Sequence, residues 1–245
     1  MKKLIALSLI LCICSFGGVD LGTDDYINMG DVELATTAIS VAFRWNPNVH
    51  AACYPVAKYN ATPGQRGWAI LFNDPNWSLF IGINGGDGYH YAHVIDYTDD
   101  FPTGELHDLM FTMDGEDVDA FLDGVSQAIN SQTIANGDSI PDAATDLRIT
   151  GKPFDSRCNG KIYDVAVWDT KLTQADATLY ADSKVKRIPL QIKPANLTMY
   201  LPLDDFADGS VITGTWRDLS SSGLSGTGTD ADSSSSALSE TLSTY

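Results

Sequence analysis

The sequence is poor in base, in glutamate and in long apolar runs, and each shortage removes a class of function. Lysine and arginine number 15 against 32 acidic residues, a formal charge of −17. With no basic stripe to displace counterions from phosphates, nucleic acid is excluded as a partner. Anionic membrane surfaces are disfavoured for the same reason. The apolar run at 4–16, LIALSLILCICSF, is too short to span a bilayer comfortably. Cysteine occurs at only four positions and never as a paired CxxC motif, which argues against structural zinc. Gly124-Val125-Ser126-Gln127-Ala128 is half of a nucleophile elbow without its strand–helix setting, so a serine hydrolase has no support. Glutamate is confined to Glu33, Glu105, Glu116 and Glu240. The acid is therefore nearly all aspartate, which favours turns and loop ends.

What is present is the pattern of short strands. Residues 109–125, LMFTMDGEDVDAFLDGV, read as a hairpin: a strand, a turn at Asp114-Gly115, and a second strand closing on Asp123-Gly124. Ile39, Val41, Phe43 and Trp45 alternate with Ser40, Ala42 and Arg44, the period of a strand with one buried face. Residues 160–169 form another strand, with Ile162, Asp164, Ala166 and Trp168 predicted on one face. One convincing helix follows, N-capped at Thr173 and carrying Leu172, Ala175, Leu179 and Tyr180 at helical spacing. Runs of this kind, separated by Gly, Pro, Asn and Asp, predict a single all-β domain.

The order of these motifs resembles a laminin G-like domain of the concanavalin A-like lectin/glucanase group. Residues 22–32, GTDDYINMGDV, are similar to that family's opening strand, and 39–45, ISVAFRW, to the strand that follows. The segments at 54–59, 67–73 and 77–83 fill its middle strands, and GKIYDVAVW with the helix after it is similar to its end. Residues 197–204, LTMYLPLD, with Arg217-Asp218-Leu219-Ser220 resemble the family's usual first strand, although here they come last. The resemblance implies a jelly-roll sandwich of two antiparallel sheets with one short helix. It also implies that Leu197–Leu203 pairs beside a strand of the N-terminal half. Glucanases of this architecture present two glutamates on one strand, a nucleophile and an acid about 5 Å apart. Glu116-Asp117-Val118-Asp119 is the nearest approach, with no second glutamate at Phe121 or Leu122. A binding module is expected, and not an enzyme.

Two sets of candidate site residues follow. Trp77, Tyr89 and Tyr91, with Asp87 in the loop between, place aromatic rings beside polar groups. Sugars need that combination, because their CH-rich faces stack on rings while their hydroxyls find polar partners. The competing use of each ring is core packing, to which Trp45 and Trp168 are assigned outright. His90 and His93 stand at i and i+3 on a strand and diverge, so they do not make a metal pair. For calcium, the resemblance points to acid-rich family positions at Asp25, Asp164 and Asp218. The alternative is that this acid serves only solubility.

Residues 1–17 read as a secretory signal or as a buried N-terminal strand, 18–219 as the jelly-roll domain, and 220–245 as a Ser/Gly/Thr-rich tail. Cys53 and Cys158 remain once the first seventeen residues are set aside. They fit one disulfide in an oxidising compartment, or two free buried thiols. The expected function is non-catalytic recognition of a glycan or surface glycoprotein through rim loops, secreted or at a cell surface. A structural or decoration subunit of a virion or filament, assembling with copies of itself, is the alternative.

Overall fold

A computed structural model describes residues 19–21, 25–34, 36–60, 62, 65–73, 76–83, 88–95, 102–150, 158–182, 188–203, 215–221, 225–230 and 239–240. The expected signal segment 1–17 and Asp87 lie outside the described residues.

The chain forms two antiparallel sheets. The strands of the N-terminal half are β1 (Val19–Leu21), β2 (Asp25–Asn28), β3 (Ala38–Pro47), β4 (Cys53–Tyr59), β5 (Arg66–Asn73), β6 (Asn76–Ile83), β7 (Gly88–Ile95), β8 (His107–Asp114) and β9 (Asp117–Leu122). Those that follow are β10 (Val125–Gln127), β11 (Ser131–Gln132), β12 (Arg148–Ile149), β13 (Gly160–Trp168), β14 (Leu197–Leu201), β15 (Thr215–Arg217), β16 (Ser225–Asp230) and β17 (Ser239–Glu240). Eight strands build one sheet in the order β10-β9-β8-β3-β13-β1-β17, with β14 also paired to β13. Nine build the other, in the order β11-β7-β6-β5-β4-β12-β2-β16-β15. This is the sandwich of two antiparallel sheets that the resemblance implies.

The hairpin at 109–125 forms, and each Asp-Gly pair makes a turn. Gly115 has φ 56° between β8 and β9, while Asp123 and Gly124 have φ 51° and 73° between β9 and β10. Two successive positive φ values identify the second turn as type I′, whose twist matches the strands it joins.

The main core fills the space between the sheets. Ile39, Val41, Phe43, Trp45, Trp68, Phe72, Trp77, Leu79, Phe111, Val165 and Val167 are among its members. Cys53 and Cys158 are bonded within it, with Cα atoms 5.0 Å apart, joining β4 of one sheet to the residues just before β13 of the other.

A second core lies on the far side of the eight-stranded sheet. Ala42, Met110, Phe121, Ala166, Trp168 and Tyr200 of the strands meet Leu172, Ala177, Tyr180, Ile188 and Ile192. The cover comes from helix α1 (Gln174–Tyr180) and the arm that follows it. Thr173 and Asp176 cap α1 reciprocally. The helix buries Ala177 and Tyr180, while Leu179 stays exposed, because two turns present only a narrow stripe to the sheet.

Three expectations change here. β3 is buried on both faces, with Ser40 and Ala42 as inaccessible as Ile39, because the helix layer covers what would be a solvent face. Ile162 does not share a face with Ala166 and Trp168: a bulge between Tyr163 and Ala166, with Asp164 at φ 47°, reverses the parity of β13. Ile162, Val165 and Val167 therefore enter the main core, and Ala166 and Trp168 the second. Finally, β14 pairs with β13 and not with a strand of the N-terminal half. The ends meet elsewhere, through β16 on β2 and β17 on β1.

Candidate functional site

The outer face of the nine-stranded sheet carries the candidate site. Alternation decides which residues reach it: Trp77, Leu79 and Ile81 of β6 and Ala92 and Val94 of β7 point into the main core. Asn76, Ser78 and Phe80, and Tyr89, Tyr91 and His93, are thereby left on the opposite side. With Leu71 and Asn73 of β5 they line a groove of about 210 Å3.

The groove is a cluster of rings with polar atoms between them. Tyr91 and His93 stack with centroids 4.0 Å apart, and His93 meets Phe80 edge-on at 5.9 Å. Phe80 also lies 5.4 Å from Tyr89 and 6.1 Å from Tyr91. Tyr89 is 48% exposed, and the Arg66 guanidinium sits 5.9 Å from its ring. The buried Ser78 hydroxyl is 2.5 Å from His93 Nδ1, which fixes the imidazole plane. Burial pushes the His93 pKa down, so the ring is neutral near pH 7 and offers both a flat face and a polar edge. Asn73 and Asn76 supply amides at one end.

Tyr89 and Tyr91 share one face, as the strand period predicts. Trp77 does not belong with them. Its side chain is fully buried and packs 4.8 Å from the ring of Phe111, because its place in β6 points inward. His90 diverges from His93 and bonds Asp138 at 2.5 Å. Sequence reasoning missed Phe80, Ser78, His93, Asn73 and Asn76. The period-two pattern of NWSLFIGI contains the signal for three of them, once the tryptophan is set inside.

The side chains of two of the acidic candidates have described partners. Asp164 accepts a hydrogen bond from the Tyr200 hydroxyl at 2.7 Å and an ion pair from Arg44 at 3.2 Å. Its backbone carbonyl accepts the Tyr180 hydroxyl at 2.7 Å. Asp218 is buried and accepts from the amides of Tyr200 and Ser220, both at 2.8 Å, and from the Ser220 hydroxyl at 2.7 Å. Both carboxylates bond Tyr200, a member of the second core. Asp25 lies in β2, opposite Asp230 of β16. Among the described residues, no three His, Cys, Asp or Glu stand together as a metal-binding group. Where acid does gather, near Asp31, the buried Lys58 ammonium sits against Asp31, the Ala143 carbonyl at 2.6 Å and the Thr145 carbonyl at 3.1 Å. A side chain there supplies the positive charge.

Beneath helix α1 lies the other polar centre. Arg44 Nε donates to Asp108 at 2.7 Å, and its guanidinium also reaches the Tyr180 carbonyl at 3.2 Å. Burial pushes the Asp108 pKa up to about 6, against the downward pull of Arg44. His107, bonded to Asp123 at 2.9 Å, is raised by that hydrogen bond. In this centre Arg44 is buried while Asp123 reaches solvent.

Two antiparallel sheets packed over one core, with a single short helix outside, define a jelly-roll β-sandwich. The laminin G family model of the concanavalin A-like lectin/glucanases superfamily matches residues 21–178, and the chain belongs to that family. No curated protein sequence matches it. Among solved structures, a heptameric pentraxin from Limulus polyphemus is 16% identical with a TM-score of 0.53, covering 69% of this chain and 83% of that one. A candidate carbohydrate-binding protein from Bacteroides ovatus is 17% identical with a TM-score of 0.58, covering 87% of this chain and 58% of that one. The receptor-binding domain of botulinum neurotoxin D is 14% identical with a TM-score of 0.50, covering 68% and 43%. At these identities the likeness establishes the fold. Among the described residues, no helix is long and apolar enough to cross a membrane.

Proposed function

We propose that this protein is a non-catalytic glycan-recognition module that holds its ligand in the groove formed by Phe80, Tyr89, Tyr91 and His93. The observation that carries this reading is the composition of the groove. Four rings converge on one exposed sheet face with Asn73, Asn76 and Ser78 among them. A sugar's apolar face finds the rings and its hydroxyls find the amides and the imidazole edge. Rings placed there for stability alone would be covered, as those under helix α1 are. The relatives' fold and the Bacteroides ovatus protein support the same reading. The Cys53–Cys158 bond supports a location outside the cytosol.

Glycan-array screening followed by isothermal titration tests the proposal. Tyr89→Ala and Tyr91→Ala should each weaken the best glycan by about tenfold, the worth of one stacked ring. Retention of full affinity in both variants would remove the groove from the function. Calcium, expected from the Asp-rich loops, enters as a second variable. Titrations in EDTA and in calcium separate an ion-assisted grip from stacking alone.

A further inference from the structure

One polar group of the groove has surroundings that fix what it can do. Ser78 is fully buried in β6. Among the described residues its hydroxyl makes one hydrogen bond, to Nδ1 of His93, the residue opposite it on β7. A hydroxyl carries one hydrogen and two lone pairs, whereas each nitrogen of a neutral imidazole either donates or accepts. Were the ring proton on Nδ1, Ser78 would accept it, and its own hydrogen would be buried without an acceptor. An orphaned buried donor is costly. With Nδ1 bare, Ser78 donates to it and neither group is orphaned. The ring proton then sits on Nε2.

That edge of the ring is available to a ligand. His93 is half-buried and lines the groove. Among the described residues Nε2 has no hydrogen-bond partner, and it is not enclosed. Tyr91, stacked at 4.0 Å, and Phe80, edge-on at 5.9 Å, hold the ring plane. The imidazole therefore cannot turn over without losing the Ser78 bond. Phe80 is half-buried and lies 5.4 Å from Tyr89 on its other side. A pyranose seated over Phe80 meets a ring face and the His93 edge together.

We infer that Ser78 positions His93 as a fixed Nε2–H donor, which selects sugar units that present an acceptor oxygen beside Phe80. The inference rests on the glycan reading above and names the contact that gives it specificity. Asn73, Asn76 and the hydroxyls of Tyr89 and Tyr91 can each donate or accept by turning, so they impose no direction on a ligand. The neutral imidazole edge does. A hydroxyl, a ring oxygen or an acetamido carbonyl satisfies it, and a group that can only donate does not.

Nitrogen NMR of the full chain at neutral pH reads the tautomer, and the spectrum of His93→Phe identifies the His93 signals. A bare Nδ1 and a protonated Nε2 are expected, and Ser78→Ala should give a mixture of the two forms. The methyl glycosides of glucose, galactose, mannose and N-acetylglucosamine, with any array glycan that binds more tightly, are then titrated. His93→Phe keeps a flat ring and loses the donor, so it should weaken binding about three- to tenfold. One deoxy analogue of the bound sugar should lose the same factor and should lose nothing further in His93→Phe. Melting curves confirm that the variants are folded, and the wild-type tautomer decides the case if Ser78→Ala is not. A proton on Nδ1, a single tautomer in Ser78→Ala, full affinity in His93→Phe, or additive losses overturns the fixed donor and leaves the glycan reading standing. Absence of binding by every glycoside and every array glycan overturns both.

Discussion

The two sheets differ in what lies on their outer faces, and the difference separates a covered layer from an open groove. Both faces carry rings: Trp168, Tyr180, Tyr200 and Phe121 on the eight-stranded side, Phe80, Tyr89, Tyr91 and Tyr54 on the nine-stranded side. On the first, helix α1 and its arm close over the rings, and the polar groups among them pair with one another. On the second no described element closes over the groove, and the polar groups lie at its surface. Aromatic content alone does not mark a site. A ring does so when the chain has a covering device and leaves that ring uncovered.

Substitution on the covered side should produce the largest effects. Trp168→Ala removes a fully buried indole whose Nε1 donates to the Ile192 carbonyl at 2.8 Å. It should cost about 3–5 kcal/mol of stability, read as a drop in melting temperature of roughly 10–15 °C for a domain of this size. A drop under about 3 °C would mean that the helix layer is not a true second core. Arg44→Ala should come next, at roughly 3 kcal/mol, because it leaves Asp108 and Asp164 buried without their shared cation. Arg44→Ala combined with Asp108→Asn should recover part of that loss.

The two faces should also answer pH with opposite signs. Asp108 is raised to about 6 in the fold, so the native state holds a proton that the unfolded chain has lost. Its contribution is present below pH 4 and disappears as pH rises through 6, worth on the order of 3 kcal/mol across the window. His107, raised by Asp123, acts in the same direction at higher pH. His93 is lowered by burial, so its contribution is present above its unfolded value and is lost on acidification. Denaturant melts between pH 4 and 8 should show Asp108→Asn flattening the fall in stability between pH 4 and 6, and His93→Gln removing a rise with pH that lies below about 6.5. If both variants change the profile in the same sense, the contrast between the faces fails. Tyr89→Ala should have the smallest effect on stability, within about 0.5 kcal/mol for an exposed side chain, while its effect on glycan affinity is large.

Much of this was legible in the sequence because period two is a strong signal. The hairpin at 109–125, the core positions Ile39, Val41, Phe43 and Val165, and the Thr173 cap all follow from local pattern. The shared face of Tyr89 and Tyr91 follows from it too. What was not legible depends on partners distant in sequence. Trp77 looked like a site residue because it is a tryptophan near a glycine-rich loop, and only register against β5 and β7 turns it inward. The resemblance to acid-rich family positions singles out Asp164 and Asp218, with no local signal for the partners they bond. Arg44, Tyr200 and Ser220, which take them up, lie far from one or both in the chain. The parity change at Asp164 is a single backbone torsion in the left-handed region, for which a non-glycine residue gives little warning.

Strand β13 ties the two cores together. Beyond its bulge, ordinary alternation gives Val165 and Val167 to the inner core and Ala166 and Trp168 to the outer one. Neither core can melt without pulling out side chains that anchor the other, so the helix layer cannot detach as a separate folding unit. The strand acts as a common axle, and the domain should unfold in one step. In native-state hydrogen exchange, the amides of β13 and α1 should share one opening free energy, equal to that of global unfolding.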